Sequence, residues 1–506
     1  MLQTLKELLV VTVIAMAVFR LARPAALSFM TSADFGRRRN AWFALTFTAF
    51  LAPDIWVFMA VAAVILLRLG RRDPNPAAAF LLLLYAIPPM SVRVPMIGIS
   101  FLVNLDYPLL LCLCLMLRPA LRIFRSGKVG FDRLDFFVLA YLMLTSVFFA
   151  LPEVSRGIVM TPTVTDNLRR MVETFLGLFI PYFVISRCGP TPRSTLENMA
   201  AYCLSAGVLA AIGVFESARH WLLYADIMSR LGGAVQVYLM RGDSLRAMAS
   251  TGHSLALGVI LAMTFAVWLG LQVHVKGTGR RFGITALFIA GLIAAYSRGP
   301  WIAAAVAFFL FTALRPRALP RLLQATLVCA LIAGVIAMTP IGSRIAEVLP
   351  FLGGTVDSGN IDYRQRLFDR SWEVIQQSPL LGDRWALLKL QDLRQGQGII
   401  DLMNGYTAIL IGSGFAGLAL YLAFVLLAFS RAWGFYRRSL LQSDPDLAMA
   451  GAGILACLAA ISLLAYSAGT MTQAITLSAG LAAAVARSTK EPRARSQIDA
   501  TRPTHS

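Results

Sequence analysis

The chain has 506 residues, of which 58% are hydrophobic and 14% charged, with a formal net charge of +20. Apolar runs of roughly 20 residues, the length that crosses bilayer hydrocarbon, recur from end to end and exclude a soluble multidomain protein, whose apolar residues would form one face of amphipathic helices. The basic residues sit in short loops beside these runs, where the positive-inside rule accounts for them, so nucleic-acid binding is excluded too.

Spans are predicted near residues 5–22, 41–67, 76–89, 103–117, 134–151, 168–186, 196–216, 252–274, 282–297, 299–314, 322–339, 402–428, 447–467 and 470–486. The fold class is therefore an all-α polytopic membrane protein with about 12–14 transmembrane helices, some of the runs being short for a full crossing. The first run has signal-peptide length but no basic start, and is read as a span. Pro53 and Asp54 leave two readings of 41–67: one long span, or a hairpin broken at the proline. Cys112, Cys114, Cys203, Cys329 and Cys457 lie in apolar runs without ligand or disulfide spacing, and read as small buried hydrophobes.

Three basic loops set the expected orientation: Lys276 with Arg280 and Arg281; Arg315 with Arg317 and Arg321; Arg431 with Arg437 and Arg438. These loops are expected in the cytoplasm. Alternation then puts the turn at 297–299, the loop 217–250 and the large loop 341–401 on the outer side. Residues 1–486 form one integral membrane domain that includes this periplasmic loop, and the basic tail 487–506 is expected to be cytoplasmic and disordered. Arg20, Arg23 and Arg37 to Arg39 fit the scheme only if 41–67 is broken.

Within the large loop, Asp362 followed by Gln365 has the form of a capping box and Pro379 supplies a stop, which predicts a helix over 363–378. Phe368, Trp372 and Ile375 would share one face, for the membrane surface or other spans. Arg366 and Arg370 would project from another, either to grip a phosphate or to pair with Asp369 and Glu373 on a solvated surface. Arg364, near the predicted helix start, opposes the helix dipole and so points to a positional role.

Tyr296-Ser297-Arg298-Gly299-Pro300 joins two apolar runs with almost no loop. Arg298 must lie at the bilayer edge, where an arginine either snorkels to headgroups or has a partner or task. The N-terminus of the helix opened by Pro300 adds positive potential beside it, which makes the corner a candidate anion site. A second cluster, Arg241, Asp243, Arg246 and Ser250 to Ser254, leads into the span at 252. His253 there is either a structural hydrogen-bond donor or a catalyst.

These features together resemble the O-antigen ligase and polysaccharide polymerase superfamily of bacterial inner membranes, above all its exopolysaccharide-associated members. The resemblance covers roughly residues 200–430. It rests on the turn YSRGPW at 296–301, the loop motif RQRLFDRSWEVIQQSPLLGD at 364–383, and the Asn- and Gly-rich span entry GIIDLMNGYTAILIGSGFAGLALYL at 398–422.

The resemblance implies a glycosyltransferase of the inner (cytoplasmic) membrane, multi-pass, with its active site facing the periplasm. It would use no metal and no cofactor. Its partners would be an undecaprenyl-diphosphate-linked oligosaccharide, a glycan acceptor, membrane lipid and other polysaccharide assembly and export proteins. Diphosphate binding would map onto Arg298, with Arg246, Arg364, Arg366 and Arg370 as further donors and His253 and Asn404 in support. Ligases of the family place a histidine before the asparagine of the entry motif, where this chain has Met403. That departure favours a polymerase and leaves Asp401 as candidate base, on one helical face with Asn404 if the helix includes both, the competing reading being that Asp401 caps the helix. The competing reading is a transporter or flippase of lipid-linked glycan without catalysis. It requires a series of charges along the spans, which Asp106 and Glu173 do not form.

Overall fold

A computed structural model describes residues 2–127, 130–148, 153–155, 158–161, 163–188, 191–233, 240–241, 244–338, 358–394, 400, 402 and 404–488. Helices stand at every predicted span, and the chain is an all-α polytopic membrane protein whose described strands form three short two-stranded ribbons. In chain order the helices are α1 (Leu2–Ala26), α2 (Ser32–Leu51), α3 (Ile55–Arg72), α4 (Pro76–Leu83), α5 (Tyr107–Leu115), α6 (Leu117–Ser126), α7 (Arg133–Phe148), α8 (Val164–Thr174), α9 (Ile180–Ile185) and α10 (Pro192–Arg219). They continue with α11 (Ala225–Arg230), α12 (Ser254–Leu271), α13 (Thr278–Ala294), α14 (Arg298–Ala313), α15 (Ala318–Ala337), α16 (Ser358–Gln377), α17 (Ala386–Lys389), α18 (Gly405–Leu441), α19 (Pro445–Ala468) and α20 (Thr472–Ser488). Among the described residues, four helical stretches (α10, Ser254–His274, α18 and α19) are long and apolar enough to cross a bilayer. The pair α5 and α6, bent by 44°, is a candidate fifth.

The run 41–67 is two helices. Pro53 has no N–H to continue α2, and the Asp54 side chain caps α3 by accepting from Trp56 N (2.8 Å) and Val57 N (3.0 Å). This hairpin brings the start of α2 to the end of α3. There the fully buried Arg38 donates to both Asp73 oxygens (2.8 and 2.7 Å) and to Glu197 Oε1 (2.7 Å) at the start of α10. His274, leading into the Lys276–Arg281 loop, packs on Phe29 with ring centroids 5.8 Å apart. The N-terminal arginines and the basic loop after α12 therefore share one end of the bundle, here called the basic end.

The runs 76–89 and 103–117 depart from the sequence reading. α4 ends at Leu83, and residues Ser91–Met96 and Ile99–Asp106 pair as an antiparallel hairpin, β1 and β2, turning at Gly98 (φ 87°). Short apolar runs rich in Val, Ile and Phe do not distinguish a strand from the end of a helix by periodicity. Arg169 of α8 fixes the hairpin, its guanidinium 3.6 Å from the centroid of the Phe101 ring and donating to Phe101 O at 2.7 Å.

Part of the large loop folds as a cap with its own core. α16 begins at Ser358, so Asp362 lies inside the helix rather than capping it, and the predicted start at 363 is corrected. The buried face carries Tyr363, Leu367, Val374 and Ile375, packed on Ala386, Leu390, Leu393 and Ile411. Ile375 thus parts from Phe368 and Trp372, which are exposed. The capping partners lie on α17 and α18, which selects a face one step round from the stripe expected.

The cap is fastened to a break in α18. At Gly414 (φ 62°, ψ −164°) the helix reverses: the Tyr406 ring lies 5.8 Å from that of Tyr421, and a Cβ added at Gly417 would run into the Ser413 side chain. In a straight helix residues 406 and 421 would stand about 22 Å apart. The run 402–428 is therefore two helical segments, a short one over 405–413 folded against the long one from Phe415. The backbone groups orphaned by the break are taken up by the cap: Phe415 N donates to Pro379 O (2.8 Å), Ala416 N to Leu380 O (3.0 Å), and Asp383 N to Ile411 O (2.8 Å). Only glycine fits where the chains meet, since a Cβ at Gly414 would stand 2.4 Å from Leu380 C and one at Gly382 (φ 74°) 2.6 Å from Gly412 C.

Two outcomes follow. Arg38→Ala, which leaves Asp73 and Glu197 without their shared cation, destabilises the purified protein by roughly 3–5 kcal/mol, read as a lower melting temperature in detergent. Gly414→Ala releases the cap, so limited proteolysis cuts within 379–394 of the variant under conditions that leave the parent chain intact.

Candidate active site

The end of the bundle opposite the basic loops is organised by a glutamate. Glu216, fully buried near the end of α10, accepts from three backbone N–H groups: Leu223 (3.0 Å), Met248 (3.0 Å) and Ala249 (2.7 Å). These bonds fold the segment 244–253 down onto the helices. Ser250 Oγ adds a bond to Tyr85 O at 2.5 Å, and Thr251 Oγ1 one to Met248 O at 2.7 Å. The sequence reading missed Glu216, whose only signal was an acid at the end of an apolar run.

The anchored segment brings Arg246 to the Arg298 turn. Ala247 N donates to Ala294 O at 3.1 Å, and Ser244 Oγ to Tyr296 OH at 3.2 Å, so residue 246 is bracketed by contacts to the short connection between α13 and α14. Tyr296 has φ 45°, a left-handed residue that makes this tight reversal, and Arg298 is the first residue of α14. Arg298 and Arg246 are both partly buried. Burial pulls the Arg246 guanidinium below its ordinary value, and its buried Nε has no hydrogen-bond partner among the described residues.

His253 caps α12. Its Nδ1 accepts from Leu255 N at 3.1 Å, so in the neutral ring the proton is on Nε2, which is a donor and not a base. Burial, and then the charge of Arg246, hold His253 below the usual histidine value of 6.5. At this cap His253 is an acceptor, where the sequence suggested a structural donor.

Asn404 is the N-cap of α18, its Oδ1 accepting from Tyr406 N (3.0 Å) and Thr407 N (3.3 Å). Asn404 thus fills the N-cap position of a helix that starts at Gly405. Asp401 itself lies outside the described residues. The Asn404 and Arg298 segments flank one structure, the end of α19: Cβ atoms at Gly299 and Gly405 would stand 2.9 Å from Ser467 Oγ and 2.7 Å from Ala465 O.

The cap arginines divide. Arg370 is exposed and bonded to Glu373, with Asp392 at 3.4 Å, the pairing expected of a solvated helix face. Arg366 is exposed on the same helix, and Arg364 stands in its second turn with a side chain outside the described residues. Beside Ser250 and Thr251 lies a mostly apolar cavity of about 240 Å³, walled by Tyr85, Ile87, Pro89, Val259 and Met471.

The depressed His253 has a pH signature. The unfolded chain takes up a proton at the ordinary value, about 6.5, before the folded chain does, so stability is complete above that value. It falls with pH until the lowered folded value is passed. Melting temperatures recorded from about pH 8 to about pH 5 show this acid loss in the parent, and His253→Asn, which caps without titrating, removes that component.

Residues 283–422 match the family model described as O-Antigen ligase (Wzy_C), a stretch running from α13 through the Arg298 turn and the cap into α18. No curated protein matches the chain. Through this segment, and not over the rest of its length, the chain is similar to the O-antigen ligase family.

Proposed function

We propose that the chain is a glycosyltransferase of the bacterial inner membrane that polymerises undecaprenyl-diphosphate-linked oligosaccharide units in exopolysaccharide or O-antigen synthesis. The observation that carries this is the Arg246–Arg298 corner: a half-buried guanidinium with an unfilled buried donor, held by Glu216 against the turn that bears a second arginine. The positive-inside rule puts the basic end in the cytoplasm and this corner at the periplasmic edge of the membrane.

The reaction forms a glycosidic C–O bond between an acceptor hydroxyl and the anomeric carbon of the donor, and breaks the bond from that carbon to the diphosphate oxygen. Negative charge gathers on the departing diphosphate. Arg246 and Arg298 offer fork-shaped donors that stay charged at any physiological pH and are fixed in place before the charge develops. The acceptor proton passes to a base, for which Asp401 is the candidate now that Asn404 serves as the cap. The apolar cavity beside Ser250 suits an isoprenoid segment of the lipid carrier better than a sugar. Polymerase is preferred to ligase because Met403 stands where the ligases carry histidine. Arg364 and Arg366 belong to the cap, whose clamp at Gly414 holds it to the same helix that Asn404 opens. Arg370, already engaged by carboxylates, is a weaker phosphate ligand.

Purified protein in liposomes, supplied with a lipid-diphosphate oligosaccharide, lengthens the glycan. Arg298→Ala and Arg246→Ala abolish this while membrane abundance is unchanged, Arg298→Lys remains poor because a point charge does not replace a fork, and Asp401→Asn lowers turnover. Translocation of the lipid-linked glycan without a new glycosidic bond would favour the flippase reading instead.

A further inference from the structure

At the basic end, where α18 and α20 come together, a cleft of about 350 Å³ is lined by Ser430, Arg431, Gly434, Arg438 and Ala486. Residues 431, 434 and 438 fall on one face of α18. Gly434 leaves the floor open, since a Cβ there would meet nothing within 4 Å. The buried Nε of Arg438 has no hydrogen-bond partner among the described residues.

Among the described residues, the cations around this cleft outnumber the anions that hold them. Arg431 reaches Asp132 at 3.2 Å, Arg487 takes the same carboxylate at 2.6 Å and Asp135 at 3.3 Å, and Arg187 is bonded to Asp135 at 2.5 Å. With Arg438, four guanidinium groups meet two carboxylates. A hollow bordered by two arginines and a serine hydroxyl, with an unfilled buried donor, has the donor set of a tetrahedral oxyanion site. Trp433 and Leu440 are exposed on the adjoining face of α18, an apolar flank next to the charged hollow.

We propose that this cleft binds a phosphate group, either in the headgroup of an anionic phospholipid or free in solution. The site stands apart from the Arg246–Arg298 corner, at the other end of the bundle, and does not depend on the reaction assigned there. Basic side chains at a membrane surface attract anionic lipid, and the apolar flank gives acyl chains a place to lie.

The test uses full-length protein stripped of lipid in neutral detergent, with lipid retention read by native mass spectrometry and melting temperature alongside. The probes are dioleoylphosphatidylglycerol, dioleoylphosphatidylcholine and inorganic phosphate. The variants are Arg438→Gln, and Gly434→Leu, which fills open space and so leaves the fold intact. Retention of phosphatidylglycerol over phosphatidylcholine, weakened about five-fold by either substitution, is the expected result and assigns the site to a lipid. Stabilisation by inorganic phosphate that both variants abolish, without lipid preference, supports the site and assigns it to a soluble phosphate. Equal retention of the two lipids, no effect of phosphate and no response to either variant overturn the proposal.

Discussion

Taking a guanidinium out of water without a counter-charge is costly, and this bundle meets that constraint in more than one way. At the basic end Arg38 is matched to Asp73 and Glu197, Arg187 to Asp135 and Arg487 to Asp132, while the buried Nε of Arg438 has no partner among the described residues. These contacts tie the ends of α2, α3, α7, α10 and α20 and serve the fold. At the other end the buried carboxylate of Glu216 is spent on backbone N–H groups rather than on a cation. Arg246 is left half-buried with donor capacity in hand, beside the turn that carries Arg298.

Backbone satisfaction is the second constraint. A helix that reverses within a membrane bundle exposes N–H and C=O groups that hydrocarbon cannot satisfy. Here the break in α18 is closed by the chain of the cap itself, through Pro379, Leu380 and Asp383. The cap is thus part of the helix it covers. Its core on Ile411 and the N-cap Asn404 belong to the same short helix, so the cap is packed on the segment that opens α18 beside the end of α19.

Much of this was legible in the sequence because bilayer thickness dictates the length of apolar runs: every predicted span holds helix, and the break at Pro53 and Asp54 was one of two readings open. The turn at Arg298 was readable because a charge between two apolar runs leaves few places to put it. What escaped depended on partners far away in sequence. The hairpin of β1 and β2 looked like the end of one helix and the start of another. The buried face of α16 is chosen by Ala386 and Leu390, which no periodicity within 358–377 reveals. Glu216 gains its meaning only from Met248 and Ala249, and the reversal at Gly414 from Leu380, since a glycine among apolar residues reads first as a helix interior.

The claim on which the functional reading stands is that the Arg246–Arg298 corner takes a diphosphate. Binding of a short isoprenoid diphosphate to the purified protein, set beside the corresponding isoprenoid alcohol, measures this without requiring turnover. The account predicts saturable binding of the diphosphate, none of comparable strength for the alcohol, and loss of the difference in Arg246→Gln. Equal binding of the two, or a diphosphate affinity indifferent to both Arg246 and Arg298, would contradict it.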